Sequence, residues 1–133
     1  MCFITELSAP TVLISPNMTS SKGQNVELSC NVTGNPPPEV AWFRNGEKIN
    51  ISGIVKDCKQ LKSGFYKIQR DEEAKDEVGR SRLLVCSVNH LEHTGSYTCQ
   101  ATNNQGNDTA ATYLNILGMY RRKIIYWDRY VMK

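Results

Sequence analysis

Between residues 10 and 117 the chain is a series of short apolar alternations of period two, each closed by turn residues, with no long helical period. Such a chain predicts an all-β fold in which each strand buries one face, an antiparallel β-sandwich with Greek-key connections. Val12 and Ile14 alternate between Pro10 and Pro16, as in an edge strand that the prolines keep from recruiting a neighbour. Val26, Leu28, Cys30 and Val32 fall on one face of the next strand, with Glu27, Ser29 and Asn31 on the other. Gly34-Asn35-Pro36-Pro37-Pro38 forces a turn, because the prolines supply no amide donors. Val40 and Trp42 then face inward, and Asn45-Gly46 leads through a tight turn into a short strand from Lys48 to Ile51.

Farther on, Phe65 to Gln69 alternates like a strand, whereas Arg70 to Arg80 is a dense mix of charges that reads as a solvated loop. Leu83 to Val88 is a strand whose core-facing parity stays open, since its apolar run does not alternate. Tyr97, Cys99 and Ala101 share an inner face with Thr98 and Gln100 opposite, and Asn104 to Asn107 turns the chain. Ala110, Thr112, Leu114 and Ile116 point inward on the last strand, Tyr113 and Asn115 outward. The expected organisation is an extension over 1–9, one domain over 10–117 and a basic, aromatic tail over 118–133.

A chain of 133 residues has room for one core. Its net charge of +3, with no basic stripe through the body, gives no reason to expect a nucleic-acid partner. Five dispersed cysteines without a C-x-x-C pair favour an oxidising compartment over zinc or thiol redox chemistry. Four N-x-[ST] sequons begin at Asn17, Asn31, Asn50 and Asn107, against roughly 1.6 expected by chance, and mark glycosylation candidates. Residues 1–7 lack the basic start and apolar run of an export signal, and no stretch approaches a membrane span. The chain therefore reads as a piece of a longer secreted or membrane-anchored protein, located outside the cell or at its surface.

Chemistry finds little footing. His90 and His93, with Glu92 between them, have a spacing that gathers ligands on a helix and not on a strand, and a third ligand is missing nearby. No metal, cofactor or enzymatic activity is expected, since nucleophile elbows and phosphate-cradling glycine loops are also absent from the sequence.

Cys30, Trp42 and Cys99 occur in that order, with Tyr97 two places before the second cysteine. With Gly34-Asn35-Pro36-Pro37-Pro38, Trp42-Phe43-Arg44-Asn45-Gly46 and Gly95-Ser96-Tyr97-Thr98-Cys99-Gln100-Ala101-Thr102-Asn103 followed by Gly106, the sequence resembles the I-set of the immunoglobulin superfamily over residues 10–117. The resemblance implies a Cys30 to Cys99 bridge between the sheets, Trp42 packed on it, and a tyrosine corner at Tyr97. It further implies a protein-binding module of cell-adhesion or cell-surface receptor type. Two other readings remain open: the immunoglobulin domain of a neuregulin-like growth factor, and an intracellular scaffold domain.

The sequence departs from the family where His93 replaces the usual aspartate of a buried ion pair, with Glu92 the available substitute. The 69-residue spacing between Cys30 and Cys99 is also long, which predicts an enlarged edge between residues 52 and 81. Cys58 and Cys86 are candidates for a second bridge; alternatively Cys86 is a buried thiol and Cys58 is free or paired with Cys2.

One outward face, with Phe43, Thr98, Gln100, Thr102, Tyr113 and Asn115, is expected to lack sequons and to suit another protein or a second copy of the chain. The bland alternative is that Phe43 and Tyr113 cover each other. The tail, with Arg121, Arg122, Lys123, Arg129 and Lys133, reads as a linker or as a weak glycosaminoglycan contact.

Overall fold

A computed structural model describes residues 6–68 and 79–118. Among them the order is β1 (Ser8–Ile14), β2 (Met18–Ser21), β3 (Val26–Asn35), β4 (Glu39–Arg44), β5 (Glu47–Lys48), β6 (Ile54–Val55), β7 (Gly64–Ile68), β8 (Arg80–Cys86), α1 (His90–His93), β9 (Gly95–Asn103) and β10 (Gly106–Leu117). The strands form two five-stranded sheets, β1-β3-β8-β7-β6 and β2-β10-β9-β4-β5. Neighbours are antiparallel except β6 with β7 and β10 with β2, which run parallel.

Period-two burial builds the core. Val26, Leu28, Cys30 and Val32 on β3 face Trp42, Tyr97, Cys99, Leu114 and Ile116 of the other sheet, and all are buried. Strand β8 resolves the open parity: Leu83 and Val85 belong to the core, while Leu84 and Cys86, also buried, lie on the other face. There Leu84 stands in register with Glu27 on one side and Tyr66 on the other. A strand covered on both faces has no reason to alternate.

Several elements differ from the sequence reading, among them the short strand expected from Lys48 to Ile51, which is Glu47–Lys48. The polar segment Met18–Ser21 is a strand, because it pairs in parallel with Leu114–Leu117 and gives the chain a place in both sheets. The enlarged edge does not extend the sheet of β4 and β5. Its strand β6 pairs with β7, Ile54 opposite Lys67, and so widens the other sheet. The charged segment 69–78 and the tail 119–133 lie outside the described residues.

One end of the sandwich is closed by polar groups. Asp108 Oδ2 accepts from Val12 N at 3.0 Å, and Asn103 Nδ2 donates to the carbonyls of Ser8 and Pro36, both at 2.9 Å.

Candidate recognition face and its supports

A closed circuit of four residues joins the sheets. Trp42 stands opposite Cys99 on β9, Cys99 is bridged to Cys30 with a Cα separation of 6.5 Å, and Cys30 stands opposite Ser81 on β8. Ser81 Oγ then accepts from the Trp42 indole N–H at 2.9 Å. The indole, 1% exposed, thereby satisfies the donor its burial would otherwise strand. Sequence reasoning did not single out Ser81; its only signal is a hydroxyl at the register position opposite a core cysteine.

A second bridge joins Cys58 to Cys86, with a Cα separation of 5.6 Å. It pins the connection between β6 and β7 to β8. Cys2 lies outside the described residues.

At the turn before β9, Tyr97 Oη donates to the His93 carbonyl at 2.5 Å. Burial pushes the Tyr97 hydroxyl up to about 12, with Arg44 opposing. His93 is buried: its Nδ1 accepts from Asn89 N at 2.9 Å, and its Nε2 lies 3.4 Å from Ser63 Oγ. An accepting Nδ1 places the proton of the neutral ring on Nε2. Phe65 packs edge-on against the imidazole at 5.4 Å. Desolvation holds His93 below its ordinary 6.5, Glu92 opposing and Arg44 adding to the shift.

Glu92 does not take the place of the family's aspartate. It is exposed on α1, where Asn89 caps the turn: Glu92 N donates to Asn89 Oδ1 at 2.7 Å and Asn89 Nδ2 donates to Glu92 Oε1 at 3.1 Å. Arg44 instead donates from Nη2 to the Thr94 carbonyl at 2.7 Å. The histidines do not converge either, since His90 Nδ1 lies 2.9 Å from the Ile116 carbonyl. Among the described residues no group of three or more His, Cys, Asp and Glu gathers as a metal site would require.

The proposed face is the outer surface of β4, β9 and β10, ordered in rows by the register. Phe43, Thr98 and Ala111 form one row, and Ala41, Gln100 and Thr109 the next. Tyr113, 46% exposed, stands in the row of Ser96. Strand β9 lies between Phe43 and Tyr113, so they do not cover each other; two strand spacings of about 4.8 Å separate their backbones. Asn115 extends the face toward β2, opposite Thr19.

Sequons are not absent from this face, as the sequence reading expects. Asn107 lies on β10 opposite Thr102, an even number of residues from Tyr113, and therefore points outward on the same side. Its strand begins at Gly106, inside the turn that the sequence predicts over Asn104 to Asn107. At the other edge Asn17 Oδ1 accepts from Tyr113 N at 3.0 Å. Asn31 points outward on the opposite sheet, accepting from Arg80 Nε at 3.1 Å, and Asn50 is exposed between β5 and β6. All four sequon asparagines are exposed.

A sequence profile described as immunoglobulin domain matches residues 9–103. The chain belongs to the immunoglobulin domain family. This immunoglobulin domain is 31% identical over 115 residues to the mouse (Mus musculus) protein "cell adhesion molecule-related/down-regulated by oncogenes", covering 81% of this chain and 9% of that protein. It is 35% identical over 95 residues to the Caenorhabditis elegans muscle M-line assembly protein unc-89, covering 71% of this chain and 1% of the relative. Among solved structures, titin domains Z1Z2 in complex with telethonin match with a TM-score of 0.63 and 25% identity, over 86% of this chain and 50% of that one. The chain spans less than a tenth of the length of these curated relatives.

Proposed function

We propose that this immunoglobulin domain is an extracellular protein-recognition module of cell-adhesion or cell-surface receptor type, docking its partner on the outer face of β4, β9 and β10. The observation that carries the extracellular reading is that Cys30, Cys58, Cys86 and Cys99, all the cysteines among the described residues, are in disulfides. A reducing cytosol does not maintain such bonds. The exposure of Asn17, Asn31, Asn50 and Asn107 fits the same compartment, since glycans attach to surface asparagines. A relative that is a cell adhesion molecule-related protein supports the recognition role, and the telethonin complex supports protein binding in general.

The muscle relative favours the rival reading of an intracellular scaffold domain. Peptide mapping of the protein from its own tissue, after enzymatic release of N-glycans in heavy-oxygen water, separates the two. Conversion of any of the four sequon asparagines to labelled aspartate is expected. Four unmodified asparagines together with free Cys58 and Cys86 would overturn the extracellular reading.

A further inference from the structure

Among the described residues, positive charge is concentrated on the first part of the enlarged edge. Residues 52–68 carry Lys56, Lys59, Lys62 and Lys67 against a single carboxylate, Asp57. The other described residues carry five basic and six acidic side chains. All four lysines are exposed, and among the described residues none of them is ion-paired. Asp57 is occupied locally, its Oδ1 accepting from Lys59 N at 2.9 Å.

Three of the lysines form a platform in the one short connection between β6 and β7, where Lys56 follows β6 directly. Lys67, in register with Leu83, lies on the core-facing side of β7 and is not part of it. Lys59 and Lys62 sit in the connection to β7, which the Cys58 to Cys86 bridge holds against β8. Leu61 N donates to the Cys58 carbonyl at 3.1 Å and Tyr66 Oη to the Lys62 carbonyl at 3.3 Å. A loop held in this way spares the entropic cost of ordering its backbone on binding.

We infer that this lysine platform binds a sulfated glycan chain. Ammonium groups act as point charges for sulfates, and several of them in one exposed connection suit a flexible polyanion without demanding bidentate geometry. The choice of a glycan over a nucleic acid rests on the extracellular reading above. The platform lies on the opposite sheet from Phe43 and Thr98, so glycan and protein partner would not compete.

The next residues, 69–78, hold five carboxylates with Arg70 and Lys75, so retention has to be measured on the full chain. The test is salt elution of the full-length chain from immobilised heparin, for the wild type, for K56S/K59S/K62S, for K22S/K48S/R82S as a charge-matched control, and for a chain lacking 119–133. Near-ultraviolet circular dichroism verifies that each remains folded. The platform variant is expected to lose at least tenfold in heparin affinity at about physiological salt, the control and tail deletion less than threefold. Equal losses in the platform variant and the control, a loss confined to the tail deletion, or no retention of the wild type would overturn the inference. So would equal retention on desulfated heparin, or tighter binding to anionic lipid vesicles or single-stranded DNA than to heparin. Glycan mapping of the asparagines does not depend on any of these results, so failure here is distinguishable from failure of the extracellular reading.

Discussion

The Trp42 indole donates across the sandwich to Ser81, the residue in register with Cys30, while Trp42 itself is in register with Cys99. The disulfide, from β3 to β9, and this hydrogen bond, from β4 to β8, are thus two rungs between the same two register rows. Ser81→Ala leaves a buried indole donor without its acceptor and is expected to cost about 1–3 kcal/mol. Urea unfolding checks it: the midpoint should fall with an unchanged slope.

The bridge between Cys58 and Cys86 closes a loop with a sequence separation of 28 residues. Chain entropy assigns such a loop about 3–4 kcal/mol. The C58A/C86A variant is expected to lose stability of that order by urea unfolding. It should keep a buried Trp42, read as an unshifted tryptophan emission, because the core circuit uses other residues.

His93 introduces a pH dependence that the family's aspartate would not have. Its folded pKa is held below the ordinary 6.5 by burial. Below 6.5 the unfolded chain therefore binds the proton first, so stability present above that pH declines as the pH falls. Unfolding midpoints from about pH 7.5 to about pH 5 should drop more steeply in the wild type than in His93→Gln. Tyr97 acts at the other extreme. Its pKa is raised from 10.0 to about 12, so its contribution is complete below 10 and is lost as the pH rises toward 12. A phenolate titration should find it un-ionised after the exposed tyrosines have turned.

Thr98 occupies the middle of the proposed docking face, between Phe43 and Ala111. Thr98→Arg places a long charged side chain there without entering the core. At least a tenfold loss, about 1.4 kcal/mol, is expected in binding of the domain to cells that carry its partner. Unchanged binding with an unchanged unfolding midpoint would remove the face from consideration.

The sequence made the inner face legible because burial on one side imposes period two; Val26 to Val32 and Ala110 to Ile116 point as their alternation predicts. It failed where that constraint lapses. Leu83 to Cys86 is covered on both faces, so it carries no parity signal. Met18–Ser21 earns its strand from hydrogen bonds to β10 and not from apolar side chains, which leaves nothing to read in its composition. Asn107 was readable: extending the outward parity of Tyr113 back through Ala111 and Thr109 reaches it, and only the turn signal of Asn104 to Asn107 concealed the strand start. Ser81 and the Arg44 contacts are products of tertiary register, which no local pattern encodes.

An oxidised domain of the kind proposed is tested most directly by the number of free thiols in the protein taken from its own tissue, denatured without reduction. With Cys30 joined to Cys99 and Cys58 to Cys86, at most one of the five cysteines should react. Three or more reactive thiols would mean that a bridge is missing and would contradict the account.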